Sequence, residues 1–425
     1  MTAQSRTFRL ALLTSAAVIL ASCGSGSDSS SAPAPAPSNV AAMVVDGGPV
    51  ANGTPQGTIN QAYVTVTVCV PGTTNCQSID HVWVDTGSVG LRLFASSFTS
   101  QLPAQSQNSN VVANCIQFVS SSYMWGAMRT GDVKIAGLTA TSMPIHIIGD
   151  SAVTSTAPTV CSNGGTAITT VGGANGLGAN GLLGVGVFQQ DCGSGCQNTS
   201  PAPQPWYYTC PSGTCSAVNV ATGLQNQNVA GLFPTDNNGV LIQMQSLPSG
   251  TASTATGSLI FGIGTRGNNG LGSAAVFAAN PQNGNIQTST TYGDLSEPAS
   301  YVDSGTNFWQ FNDSSITACP TTGNDNGFYC PAATVTRTAT MLPYTAPGNA
   351  TNFTYTFSIA DISTLTGNAM NNVGGPSVTP CGGSNPMPCT FAWGLPFFYG
   401  RNVFVALEGK TINGNTGPFI AASTP

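Results

Sequence analysis

Two stretches far apart in this chain have the same pattern. The first is His81-Val82-Trp83-Val84-Asp85-Thr86-Gly87-Ser88-Val89-Gly90-Leu91-Arg92-Leu93, and the second is Ala299-Ser300-Tyr301-Val302-Asp303-Ser304-Gly305-Thr306-Asn307-Phe308-Trp309. In each, a short apolar run delivers an Asp, and the Gly that follows is flanked by hydroxyl residues: Thr86 and Ser88 in one copy, Ser304 and Thr306 in the other. A single Asp-Thr-Gly constrains little, because Asp and Gly are ordinary turn residues. Two copies constrain a great deal. They make Asp85 and Asp303 a candidate pair of carboxylates. A second element repeats as well. Asn180-Gly181-Leu182-Leu183-Gly184-Val185-Gly186 follows the first Asp loop, and Phe391-Ala392-Trp393-Gly394-Leu395-Pro396-Phe397-Phe398 follows the second. Each half thus has Asp-x-Gly and then apolar-apolar-Gly, a duplication at the level of architecture.

These motifs resemble those of the pepsin-like aspartic proteases. Gly257-Ser258-Leu259-Ile260-Phe261-Gly262-Ile263-Gly264 is similar to the strand and turn that open the second lobe in that family. The resemblance runs in islands over residues 58–424. It implies an all-β, bilobal, pepsin-like double barrel with a central cleft, and Asp85 and Asp303 as the catalytic pair at its floor. Thr86 and Ser304 would brace the two loops against each other, and Ser88 and Thr306 would donate to the outer carboxylate oxygens. Gly87 and Gly305 would allow close approach and a sharp turn. Residues 116–126 read as a hairpin, which in the family is the flap over the substrate, so Phe118, Tyr123 and Trp125 are candidate substrate contacts. Two departures stand out. The flap usually carries Tyr-Gly, where this chain has Phe118-Val119. The family also places a Trp seven positions after the first Asp, where this chain has Arg92. The implied activity is hydrolysis of peptide bonds by a dyad-activated water, acting on an extended peptide or unfolded protein, with no cofactor and no metal. The alternative is a non-catalytic pepsin-fold binding or structural lipoprotein of the cell envelope. The chain also resembles a proteobacterial lipoprotein family of unknown function.

Composition fits a β-rich exported protein. Of 425 residues only 6% are charged, while 51 are Gly; abundant Val and Thr favour strands, and Gly and Asn supply turns. A net charge of −6 without a basic run past the N-terminus excludes nucleic acid as an expected partner. A monomer is expected. Arg6 and Arg9, the apolar residues 10–20 and then Leu20-Ala21-Ser22-Cys23 read as a targeting segment. Its end resembles a bacterial lipobox, which implies a signal peptide over 1–22 and acylation of Cys23. Gly24 after the Cys favours the outer membrane. The remaining layout is a flexible tether over 23–45, an N-terminal lobe over 46–235 with a Cys-rich insertion at 189–228, and a C-terminal lobe over 236–425.

Of the 13 cysteines, twelve remain if Cys23 is lipidated. An even number in an exported chain implies disulfides. Cys69/Cys76, Cys319/Cys330 and Cys381/Cys389 read as local pairs and Cys115/Cys161 as a longer tie. Cys192, Cys196, Cys210 and Cys215 could pair adjacently or nest, with zinc as a rival. Gly176-Leu177-Gly178-Ala179-Asn180-Gly181 matches a dinucleotide fingerprint only by letter, without a βαβ context. The only histidines, His81 and His146, cannot supply a paired-His metal motif. His81 reads as a packed or edge residue.

Overall fold

Alternation of apolar and polar residues dictates the strands. In Ala62–Cys69, Val64, Val66 and Val68 are buried while Thr65 points to solvent. The computed structural model describes residues 38–51, 53–99, 101–173, 175–197, 204–292, 296–345, 352–377 and 390–423. Among these the strands gather into one 17-stranded and one 7-stranded sheet, with three two-stranded ribbons. The fold is all-β and bilobal.

In the first half, Ala62–Cys69 pairs antiparallel with Cys76–Asp85, the strand that ends on the first Asp. Asn110–Gln117, Ser122–Ile135 and Leu138–Ile148 follow as a meander. Asp132 accepts from the Ser142 amide in the next strand and from the Gly72 amide in the turn before Cys76–Asp85, both at 2.8 Å. In the second half, Ile286–Thr290, Ser296–Val302, Val335–Leu342 and Phe353–Ile359 lie in the smaller sheet. Its core is aromatic. Trp309 stacks on Phe357 with ring centroids 4.4 Å apart, and Phe311, Phe391, Trp393 and Phe397 pack around them. The first half is filled instead by Val64, Val66, Val82, Val84, Leu91, Leu93, Leu183 and Val185.

The tether expected over residues 23–45 ends earlier than its composition suggested. Val40–Val45 is a strand, antiparallel to Ala255–Phe261 and, through Val44 and Val45, to Ala62–Cys69. Ala41, Met43 and Val45 are buried on one face, and this period-two pattern outweighs the polar context before it. The strand joins Ala255–Phe261, Gly239–Met244, Arg401–Ala406, Phe419–Ser423 and Ala275–Ala278 into a continuous run linked to the first-half sheet.

Five disulfides are present among the described residues: Cys69–Cys76, Cys115–Cys161, Cys192–Cys196, Cys210–Cys215 and Cys319–Cys330. The four cysteines of the 189–228 segment therefore pair adjacently. Their sulfurs bond to each other, so they are not thiolate ligands for zinc. The segment also joins the sheet, because Tyr207–Thr209 pairs with Asn110–Gln117. Cys23, the signal peptide expected over 1–22, Cys381 and Cys389 lie outside the described residues.

Candidate active site

Each Asp is delivered by a strand that a second strand supports. Gly181–Val185 runs parallel to Cys76–Asp85, with Leu183 opposite Val84 and Gly184 opposite Asp85. On its other side it runs antiparallel to Val89–Phe94, the strand that leaves the loop. The second half repeats this arrangement. Ala392–Trp393 is parallel to Ser296–Val302, with Trp393 opposite Val302, and antiparallel to the departing Trp309–Gln310. The supporting strand must pass close to the loop, which accounts for its Gly. A Cβ on Gly184 would lie 2.5 Å from the Val89 amide nitrogen, and one on Gly394 2.2 Å from the Phe308 carbonyl oxygen. The apolar-apolar-Gly elements read from the sequence therefore occupy equivalent places.

Between the halves the contacts are reciprocal. The Thr86 amide donates to Ser304 Oγ at 3.1 Å, and the Ser304 amide donates to Thr86 Oγ1 at 2.9 Å. Thr86 Oγ1 donates to the Val302 carbonyl at 3.0 Å, and Ser304 Oγ donates to the Val84 carbonyl at 2.8 Å. Thr86 and Ser304 are buried, so each of these groups is satisfied where water cannot substitute. The bracing implied for this pair is thus a closed ring of four hydrogen bonds across the two loops.

The carboxylates are held with the same symmetry. The Gly87 amide donates to Asp85 Oδ1 at 2.8 Å and the Gly305 amide to Asp303 Oδ1 at 2.7 Å. Ser88 Oγ donates to Asp85 Oδ2 at 2.5 Å and Thr306 Oγ1 to Asp303 Oδ2 at 2.7 Å. Both glycines are needed for close approach. A Cβ on Gly87 would lie 2.7 Å from Asp303 Oδ1, and one on Gly305 would lie 2.5 Å from Asp85 Oδ1. Neither has the positive φ that favours Gly, so it is the opposing carboxylate, not a sharp turn, that requires them. Asp85 is buried and Asp303 half-buried, while Gly87 faces solvent, so the pair is reachable from one side. Burial first, and then the Asp85 charge and its hydrogen bond, raise the Asp303 carboxyl well above the usual carboxylate range. Asn60 adds a further tie between the halves, donating to the Asn307 carbonyl at 2.8 Å just beyond the second loop.

The hairpin at 116–126 forms as the sequence suggested, with Cys115 opposite Trp125 and Gln117 opposite Tyr123. Its aromatic side chains point to different neighbours. Phe118 packs against the cluster that includes Ile116, Met124 and Leu182. Tyr123 and Trp125 pack on the other face with Cys115, Cys161 and Tyr208. Trp125 meets the Tyr208 ring edge-on at 5.3 Å and donates its indole N–H to the Ser155 carbonyl. None of these partners belongs to an Asp loop. Val119 is left exposed at the tip.

Sequence reading passed over a polar cluster behind the first Asp loop. Arg92 is fully buried; it donates from Nη1 to the Val89 carbonyl at 2.6 Å and from Nη2 to Asp191 at 3.3 Å. Asp191 also accepts from Tyr207 Oη at 2.5 Å and from Asn114 at 3.4 Å. Asn226 donates to the Leu91 carbonyl, and His146 lies opposite Arg92 in the neighbouring strand. Arg92 was the available signal, because a cation on a strand of otherwise apolar residues demands a buried acid. His81 lies away from the dyad, between Asp80 at 2.6 Å and Asp46 at 3.3 Å.

Fold and site together define a pepsin-like architecture. Comparison with solved structures places the chain alongside the aspartic proteinase from Irpex lacteus, with a TM-score of 0.51 and 16% sequence identity over 91% of this chain and 96% of that one. At that identity the likeness establishes the fold. A family model described as "Protein of unknown function (DUF3443)" matches residues 35–422, and the chain belongs to that family. No curated protein matches it.

Proposed function

We propose that this protein is an aspartic-type endopeptidase that hydrolyses peptide bonds through a water activated by Asp85 and Asp303. The observation that supports this reading best is the reciprocal dyad. Each carboxylate has an inner oxygen on a loop amide and an outer oxygen on a hydroxyl, and each faces the Gly of the other loop. In this reading a water between the carboxyls loses its proton to the ionised member as it attacks the scissile carbonyl. The protonated member donates to the carbonyl oxygen, and the leaving amine collects a proton as the tetrahedral intermediate collapses. No covalent intermediate forms. The substrate is an extended peptide or unfolded chain bound largely through its backbone.

The test is cleavage of a denatured protein by the chain from Cys23 onward, assayed between about pH 3 and pH 7. A bell-shaped profile is expected, with limbs that belong to the pair. Below the lower limb both carboxyls are protonated and the base is lost; above the upper limb both are ionised and the acid is lost. A statine-type inhibitor, whose hydroxyl mimics the attacking water, should block cleavage and raise the melting temperature. No cleavage at any pH, together with no thermal shift, would support the non-catalytic binding lipoprotein instead.

The cell address belongs to the same proposal. Leu20-Ala21-Ser22-Cys23 supports lipid anchoring, with Gly24 favouring the outer membrane. Cys23→Ser is expected to move the protein from the membrane pellet to the soluble fraction on cell fractionation. A mutant that still sediments with membranes would exclude this anchor.

A further inference from the structure

The exit of each Asp loop is held at an equivalent backbone atom. The Val89 carbonyl accepts from Arg92 Nη1 at 2.6 Å, and the Asn307 carbonyl accepts from Asn60 Nδ2 at 2.8 Å. Each carbonyl belongs to the residue directly after the hydroxyl that donates to the carboxylate, Ser88 in one loop and Thr306 in the other. Both donors are fully buried. They come from different places, however. Arg92 lies on the strand that leaves its own loop, whereas Asn60 stands just before Ala62–Cys69, in the other half of the chain.

We propose that Asn60 is a positioning residue for the dyad: a side chain of the first half, it fixes the exit of the second Asp loop and through it the place of Asp303. This deepens the protease reading and rests on that reading for its effect on rate.

The side-chain amide of Asn60 is used completely. Such a group offers two N–H donors and an oxygen with two lone pairs. Nδ2 donates to the Asn307 carbonyl and, at 2.7 Å, to the Met370 carbonyl; Oδ1 accepts from the Met370 amide and from Tyr399 Oη, both at 2.8 Å. The double pairing with Met370 fixes which end of the side chain is nitrogen, because turning it over would set N–H against N–H and oxygen against oxygen. The backbone is held as well, since the Asn60 main-chain N–H donates to the Asn368 carbonyl at 2.7 Å. Every one of these partners belongs to the second half. Asn60 has φ +50, in the left-handed region that Asn enters more readily than most residues. Tyr399 follows Leu395–Phe398, and the Leu395 amide donates to the Thr306 carbonyl at 2.7 Å. Asn60 therefore reaches the loop directly at Asn307 and, through Tyr399, the segment that holds Thr306. Thr86 Oγ1 holds the Val302 carbonyl ahead of Asp303, so with Asn60 the first half grips the loop on both sides of the carboxylate.

Amide hydrogen exchange tests this whether or not the chain cleaves anything, read at Gly305 and Gly87, whose amides donate to Asp303 and Asp85. Asn60→Gly tolerates the positive φ and removes the side chain. Exchange at Gly305 should quicken by about tenfold or more relative to Gly87, because only the second loop loses its tie. Asn60→Asp has the same shape and keeps the acceptor oxygen but loses both donors. It should act alike, and it decides the question if Asn60→Gly fails to fold. Tyr399→Phe removes a bond to Asn60 that does not reach the loop, so it should lower the melting temperature and leave the Gly305-to-Gly87 ratio unmoved. In a cleavage assay Asn60→Gly should lower kcat by about tenfold or more with KM within about twofold of the wild type, since a reacting group is displaced. Equal quickening at both glycines would make Asn60 a structural residue only and overturn the proposal. So would a Tyr399→Phe ratio that moves as far as that of Asn60→Gly. A selective rise at Gly305 in a protein that cleaves nothing would retain Asn60 as the positioning residue and remove the protease reading. Cleavage with kcat unmoved would do the reverse.

Discussion

Replacing either Asp85 or Asp303 by Asn is expected to lower cleavage by at least about 10³-fold, with the double variant scarcely worse, because the pair works as one unit. The same substitutions should make the protein more stable at neutral pH. The Asp303 carboxyl lies well above its ordinary range through burial and then the neighbouring Asp85 charge. Between the unfolded and folded pKa the native state therefore binds more protons than the unfolded chain, and stability falls as pH rises through that window. Asp191, raised to about 6 by burial, contributes with the same sign over roughly pH 4 to 6. Asp150, Asp236 and Asp313 act oppositely. Burial would raise each carboxyl, but Arg129, Arg266 and Arg337 help to hold them below their ordinary value. Their contribution is present above the unfolded pKa and is lost as pH falls. Asp303→Asn removes one of the raised carboxyls and should raise the melting temperature at neutral pH by roughly 3–6 °C, with little change in acid. Calorimetry at both pH values checks this. A variant that melts lower than the wild type at neutral pH would mean that the carboxyl pair stabilises the fold, contrary to this account. Cleavage that survives Asp303→Asn would rule out the dyad as catalyst.

Gly305→Ala should be nearly as damaging to activity and almost harmless to the fold. The new methyl would sit 2.5 Å from Asp85 Oδ1 and 2.8 Å from Cγ, closer than such atoms can approach. Gly305 has no positive φ, so its backbone accepts Ala without strain. The loop or the carboxylate must move, and a displacement near 1 Å at reacting groups costs about 10²-fold in rate. Gly87→Ala should behave alike by pressing on Asp303 at 2.7 Å. Gly90→Ala is the contrasting case. Gly90 has φ +94 and its Cβ would meet Asn226 Cγ at 2.3 Å, so stability itself should fall. Rate and melting temperature measured on all three variants separate the two effects. A fully active Gly305→Ala protein would show that the two carboxyls need not approach as closely as described.

The site was legible where its chemistry is local and repeated. Asp85, Gly87 and Ser88 lie within one four-residue stretch, as do Asp303, Gly305 and Thr306, so the sequence displays each carboxyl and its hydrogen-bond donors together. The strands behind them could be read for the same reason. The Arg92 cluster could not, because Asn114, His146, Asp191, Tyr207 and Asn226 come from separate segments and meet only through sheet pairing and the two adjacent disulfides of the Cys-rich stretch. Adjacent and nested cysteine pairings likewise differ only in three dimensions. The strand at Val40–Val45 was hidden differently. Its alternation of Ala41, Met43 and Val45 is present in the sequence, but it directly follows a Ser-, Ala- and Pro-rich run that carries no periodicity.

That strand also bears on how the chain assembles. Val45 pairs with Ala255 and Val40 with Ile260, so this strand waits for a partner made much later in the chain. Contacts so distant in sequence close slowly, and until they close both strands present unpaired edges open to misassociation. Cutting the chain between its halves would therefore not release two self-sufficient folding units. The first fragment would carry away the strand that completes the second fragment's sheet.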